Sequence, residues 1–394
     1  MVQGARVTRN FNPVFSELPT TIFTVMSGLA VEHGAVNLGQ GFPDDAGPED
    51  VRARAAEALM HASNQYPPMM GLPELRQATA EHYRRFHGVE LDWKSQVLVT
   101  SGATEALAAA IMALLAPGDE AVLLEPAYDS YGPQVRSVGG VPRFVRLEPP
   151  RWEITAEALE KVTTSKTRII IFNNPQNPAA RVYQPQELKV LVEWCVRHDV
   201  IAVCDEVWEH VVFDGRRHTP LISLPGMAER CVKIGSAGKI FSLTGWKVGM
   251  VCASPELLSV VAKAHQFLTF TTPPNLQTAV AYGLGKDDAY FEQMRANYAR
   301  SRDRLADGLK AEGFAVIPSE GTYFLNIDLA ASGLNVDDET FCRRAVTEAG
   351  VAAIPVSAFY ASDPVRNVVR LCFAKRDQTI DAGIEGLAKA RRLV

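Results

Sequence analysis

The chain has 394 residues, 47% of them hydrophobic and 22% charged, with a formal net charge of -5. That length and apolar content suggest a large core spread over two or three domains, and the near balance of charge excludes nucleic acid as a partner. The longest apolar run, 106–116, is far short of the roughly 20 residues that cross a bilayer, so it reads as a buried helix and a membrane surface is a poor partner.

Residues 1–13 carry Arg6, Arg9 and Asn10 but no apolar stretch of signal-peptide length, and the expected compartment is the cytoplasm. The six cysteines are scattered without zinc-like spacing, and most of them read as buried, reduced thiols.

In chain order, short β-branched runs at 96–100, 120–124, 167–172, 200–204 and 231–234, with 248–252 close behind, alternate with helical stretches. Such alternation predicts an α/β fold with a largely parallel sheet covered by helices on both faces. A helix over 104–115 ends at Pro117-Gly118-Asp119, and one over 184–198 shows apolar spacing through Leu188, Leu191, Val192 and Cys195. After Pro274 the pattern changes to a long helical region, about 276–312, followed by strands at 315–317, 323–328 and 368–373. This predicts a smaller α+β domain, completed by the N-terminal segment.

Ligands of such sheets bind beyond the carboxyl ends of the strands. There, Ser101-Gly102-Ala103-Thr104 leads into a helix whose first N–H groups lack partners and can hold a phosphate. Taken alone, this is equally an ordinary turn capped by Ser101. Asp205-Glu206 follows the strand at 200–204, and a carboxylate pair at a buried strand end needs cationic or hydrogen-bonded partners. Ser236-Ala237-Gly238-Lys239 follows the strand at 231–234. Desolvation there would favour the neutral amine that forms imines, and Lys247 lies close by in sequence. Asn174-Pro175-Gln176-Asn177-Pro178 is a proline-stiffened turn at the end of a further strand.

Together these motifs resemble class I aminotransferases of pyridoxal 5'-phosphate (PLP) fold type I. Supporting stretches are Asn37-Leu38-Gly39-Gln40-Gly41-Phe42-Pro43-Asp44, Glu125-Pro126-Ala127-Tyr128 and Arg370-Leu371-Cys372-Phe373. The likeness runs from about Phe15 to the C-terminus and is nearest to the kynurenine/glutamine transaminase and bacterial methionine aminotransferase branch. It implies a large domain with a mostly parallel seven-stranded sheet at 49–285, a small domain at 286–394, and a segment 1–48 joining the small domain.

The resemblance also implies roles. Lys239 would carry PLP as a Schiff base and then act as the base, and Asp205 would keep the pyridine nitrogen protonated. Asn177 would meet the phenolic oxygen and the substrate carboxylate, and Tyr128 would stack on the ring. The phosphate would be held by Ala103 and Thr104 N–H groups, Ser236, Lys247 and, from the other subunit of a homodimer, Tyr66. Arg370 would clamp the substrate carboxylate beside Gly41 as a planar fork. Two departures stand out: Trp208 where the family usually has a tyrosine that donates to the phenolic oxygen, and Ala179-Ala180 where threonine-glycine is frequent, the latter expected to have little effect.

The stretch 265–275 contains no arginine for a second carboxylate, and Phe23 and Phe270, with Ile22 and Tyr323, suggest an apolar or aromatic pocket. Tyr323 can equally be core packing. The expected reaction is transamination between a methionine-, aromatic-, kynurenine- or glutamine-type amino acid and a 2-oxo acid. Cysteine-conjugate β-lyase chemistry at the same site and an N-succinyldiaminopimelate-type aminotransferase are the alternatives. A PLP-binding regulator is disfavoured, because a match beginning near Phe15 leaves no room for a fused DNA-binding domain.

Overall fold

The structure, a computed structural model, describes residues 11–394; the expectation for Arg6, Arg9 and Asn10 lies outside the described residues. The first strand, β1 (Val36–Asn37), belongs to a small lobe described below. Seven strands form the main sheet: β2 (Val97–Thr100), β3 (Glu120–Glu125), β4 (Val141–Arg146), β5 (Thr167–Asn173), β6 (Ile201–Asp205), β7 (Cys231–Ser236) and β8 (Gly249–Cys252). Their order is β2-β8-β7-β6-β5-β3-β4, with β8 antiparallel to both neighbours and all other pairings parallel.

The central strands are near-continuous apolar runs because helices cover both of their faces; Ile169 to Phe172 are essentially inaccessible. The exception, β4, is the strand that sequence reading does not single out. It is a sheet edge with Pro142 and two arginines, Arg143 and Arg146, and most of its side chains are partly or fully exposed. Edge strands tolerate proline and charge, so the usual apolar signal is missing.

The helix expected over 104–115 spans Gly102–Leu114, and that expected over 184–198 spans Pro185–His198 with Gln184 and Glu187 forming a capping box. The long helical region after Pro274 is two helices, Pro274–Leu284 and Asp288–Ala311. Gly285 ends the first, and the Asp287 side chain caps the second by accepting from the Tyr290 N–H at 3.1 Å.

The small lobe contains β9 (Ala315–Ile317), β10 (Phe324–Asp328), β11 (Val351–Ala352), β12 (Ile354–Pro355) and β13 (Val368–Cys372). Four of them form an antiparallel sheet in the order β12-β13-β10-β9, while β1 pairs in parallel with β11, Val36 opposite Val351. That pairing ties the N-terminal segment to the C-terminal part of the chain. One apolar core joins Met26, Ala30 and Leu38 to Leu325, Phe341, Leu371 and Leu387.

All six cysteines are free and buried. Among the described residues no helix is long and apolar enough to cross a membrane. Ala180 adopts φ 59° and is buried, the left-handed conformation that favours glycine. The alanine at this departure from the family pattern therefore carries backbone strain, which the expectation of little effect did not include.

Candidate active site

The parallel strands β3, β5, β6 and β7, together with β2, end on one side of the sheet, and β8, running the other way, begins there with Gly249. A cavity of about 390 Å³ lies over these ends, under the small lobe. Twelve of the residues singled out from the sequence line it: Phe23, Gly41, Ala103, Thr104, Tyr128, Asn177, Asp205, Trp208, Ser236, Lys239, Lys247 and Arg370. Tyr66 and Phe270 do not. They lie edge to face with ring centroids 5.6 Å apart, and Tyr66 is 84% exposed.

At one end of the cavity Gly102, with φ 79°, opens the helix Gly102–Leu114. Ser101 is not a side-chain cap. Its N–H donates to Glu105 Oε2 at 3.0 Å and its hydroxyl faces Thr272 Oγ1 at 3.3 Å. Lys247, also left-handed at φ 55°, folds over the same turn, so that a Cβ on Gly102 would lie 3.2 Å from Lys247 Cε. A Cβ on Gly249 would lie 2.7 Å from the Gly102 carbonyl carbon and 3.0 Å from the Ala103 nitrogen. Glycine at both positions keeps open a cradle of free helix N–H groups with an ammonium beside it, which suits a phosphate.

Asp205, the last residue of β6 and 6% exposed, also lines the cavity. Its Oδ2 accepts from the Tyr131 hydroxyl at 2.6 Å, and Oδ1 has only a long contact with the Val207 N–H at 3.4 Å. Burial raises its pKa, and the Tyr131 hydrogen bond opposes that rise. Glu206 turns away from the cavity into a buried network in which Lys233 lies 2.7 Å from Glu209 and 3.5 Å from Glu206, with His218 3.2 Å from Glu206. The adjacent carboxylates thus divide, one facing the cavity and one serving the fold.

Lys239, one short helical step beyond β7, lines the same cavity within coulombic reach of both Asp205 and Lys247. Burial lowers its pKa to about 8, against partial support of the charge from Asp205, so the neutral amine is far more accessible than in a free lysine although the ammonium still predominates at neutral pH. Nζ donates to the Tyr323 hydroxyl oxygen at 3.0 Å and lies 4.7 Å from the Trp208 ring centroid.

Arg370, on β13 and 1% exposed, points into the cavity from the small lobe. It donates to Asn177 Oδ1 at 2.7 Å and to the Gly39 carbonyl at 3.0 Å, its Nε has no partner among the described residues, and its guanidinium lies 3.9 Å from the Phe324 ring centroid. Burial lowers its pKa to about 10, which leaves it charged at neutral pH. Asn177 is itself held through its N–H by Asn173 Oδ1 at 2.8 Å.

Of two further tyrosines with defined contacts here, Tyr131 was given no role by sequence reading, and Tyr323 was read only as a pocket or core residue, not as a partner of Lys239. Tyr131 lies three residues after Tyr128, a spacing that could have pointed to a shared face; for Tyr323 only the tertiary contact with Lys239 gives a signal.

A phosphate cradle, a carboxylate and a buried lysine amine that line one cavity over the strand ends of a seven-stranded α/β sheet fit PLP and define a PLP enzyme of fold type I. The sequence matches the family Aminotransferase class I and II over residues 34–387, and the chain belongs to it. It is a PLP-dependent aminotransferase. It is 44% identical over 381 residues to a probable N-succinyldiaminopimelate aminotransferase of Mycobacterium tuberculosis, covering 94% of this chain and 96% of the relative. It is 39% identical over 371 residues to a methionine aminotransferase of Escherichia coli K12, with 94% and 96% covered. Human kynurenine–oxoglutarate transaminase 1 is 36% identical over 398 residues, with 92% and 93% covered. The solved structure of the Mycobacterium tuberculosis N-succinyldiaminopimelate aminotransferase superposes with a TM-score of 0.93, covering 97% of this chain and all of that one.

Proposed function

We propose that this aminotransferase acts on amino acids with apolar, aromatic or neutral side chains, of methionine, aromatic, kynurenine or glutamine type, and passes the amino group to a 2-oxo acid. The observation that carries this reading is the charge inventory of the cavity. Its charged lining residues are Asp205, Lys239, Lys247 and Arg370, and the remaining wall near Arg370 is aromatic, with Phe23, Trp208 and Phe324. Once Arg370 holds the α-carboxylate, with Lys239 and Lys247 serving the cofactor, no cation among the described lining residues is left for a second one, and aromatic faces favour apolar side chains.

Bound PLP supplies the electron sink for the reaction. The chain's own residues hold and orient the partners. Lys239 Nζ would hold the cofactor and, when released, would move the proton. Asp205, through the oxygen that Tyr131 leaves free, would support a protonated ring nitrogen. Ala103 and Thr104 N–H groups, Ser236 and Lys247 would hold the phosphate, and Tyr128 and Asn177 would hold the ring. Arg370 and the backbone at Gly41 receive the substrate carboxylate. Exposed Tyr66 and Phe270 complete the site of a second copy, so the active unit is a homodimer; a fully active monomer in sedimentation and assay would refute that assembly.

A second reading, transamination of N-succinyldiaminopimelate, is supported by the 44% identity to the mycobacterial relative. A panel of half-reactions, following conversion of the cofactor by its visible absorbance, separates the two. Methionine, phenylalanine, kynurenine and glutamine should convert it faster than aspartate, and a strong preference for aspartate would overturn the first reading. Conversion chiefly by glutamate and N-succinyldiaminopimelate would favour the second. Pyruvate and ammonia released without an oxo acid would mark β-lyase activity on cysteine conjugates.

A further inference from the structure

We propose that Tyr323 is a positioning residue for the Lys239 amine, holding one N–H of Nζ on its hydroxyl oxygen while giving its own proton to the Gly41 carbonyl. The proposal rests on Lys239 being the base, as proposed above.

The first observation is the chain of contacts. Lys239 Nζ donates to Tyr323 Oη at 3.0 Å, and Tyr323 Oη donates to the Gly41 carbonyl. With its only proton engaged by a backbone carbonyl, the phenol can serve the amine only as an acceptor. An amine held by one N–H has its remaining directions restricted. The loop carrying Gly41 also carries Gly39, whose carbonyl accepts from Arg370 at 3.0 Å. Tyr323 therefore links the reactive amine to the loop beside the carboxylate clamp.

The second observation is the backbone that delivers it. Thr322 has φ 66° and is fully buried, a conformation that β-branched residues avoid. It is held there by its N–H to the Val211 carbonyl at 2.8 Å, and its hydroxyl accepts from the Phe324 N–H at 3.1 Å. The strained turn aims Tyr323 at the amine and Phe324 beneath Arg370. Gly41 fits this arrangement closely, since a Cβ there would lie 2.8 Å from Phe324 Cζ.

The third is Trp208. Its ring stands edge-on to Tyr323 with centroids 4.3 Å apart, so the indole braces the phenol while bringing no hydroxyl of its own. The tyrosine hydroxyl in contact with the lysine comes from the small-lobe side instead. When Nζ takes a proton from the substrate carbon it becomes an ammonium, and the same Tyr323 oxygen then accepts a charge-assisted hydrogen bond, which steadies the proton until it is passed on.

The test is Tyr323→Phe, with two readouts. In the holoenzyme, kcat for the amino-acid half-reaction should fall roughly ten- to hundredfold with KM for the amino acid changed little and cofactor colour retained. In the cofactor-free chain, trace acetylation of Lys239, read by peptide mass spectrometry across pH, reports the neutral amine directly. The groups facing that amine are Asp205, Lys247, Arg370, Cys372 and Tyr323. Only the last is altered, so the labelling midpoint should move to lower pH by about one unit. A parent-like kcat together with a parent-like midpoint would overturn the proposal. If Tyr323→Phe does not fold, 3-fluorotyrosine placed at position 323 keeps the shape and weakens the oxygen as acceptor. It should move both readouts in the same direction by less, and no movement in either counts against the proposal. A parent protein that takes up no PLP would refute the function proposed above, while the labelling comparison would still decide the role of Tyr323.

Discussion

Tyr131→Phe removes one hydroxyl from the floor of the active site and leaves the volume almost unchanged. Burial of Asp205 favours its neutral form, and the Tyr131 hydroxyl at 2.6 Å is the principal contact opposing this. The Val207 N–H, at 3.4 Å, does little. A hydrogen bond to a charged group contributes about 1.5–3 kcal/mol, so its loss should slow steps that need the Asp205 anion by about 10- to 150-fold. The assay is the single-turnover half-reaction at saturating amino acid, followed by cofactor absorbance, with cofactor affinity measured separately. Because the variant shifts Asp205 toward protonation, the deficit should shrink as pH is raised, and cofactor affinity should fall much less than rate. A parent-like rate and pH dependence would refute the reasoning, as would a loss explained wholly by cofactor release.

Lys239 carries its amine at about 8 through burial, against an ordinary 10.5. Between those values the unfolded chain binds a proton that the folded one does not, so this group's contribution to stability improves as pH rises through the window. Below it the full cost is present, up to about 3 kcal/mol. In urea melts of the cofactor-free protein, Lys239→Met should therefore be the more stable chain at neutral pH, with the gap closing toward 10.5; a constant gap would contradict this. Gly249→Ala would place a methyl 2.6 Å from Thr100 Oγ1 and against the phosphate cradle. It should cost about 1–3 kcal/mol and weaken cofactor binding, checked by thermal melts and equilibrium dialysis. Lys233→Ala leaves Glu206 and Glu209 buried without their ammonium, and should destabilise the chain by about 3–5 kcal/mol in denaturant titrations.

Local sequence determined a good deal by itself. The β-branched runs around Ile169 to Phe172 and Ala202 to Cys204 read as buried parallel strands because both of their faces must be apolar. The motifs at their ends, from Ser101 through Asp205 to Lys239, stood in an order that resembles the class I aminotransferases. What tertiary structure alone decided depends on distant partners. The edge strand β4 carries no apolar pattern because half of it faces solvent. The split of Asp205 from Glu206 depends on Lys233 and His218 packing behind the sheet. Tyr323 meets Lys239 across 84 positions of chain, at 3.0 Å. Periodicity and turn chemistry act over a few residues and so are written locally, whereas protonation and aim come from groups that only the folded chain brings together.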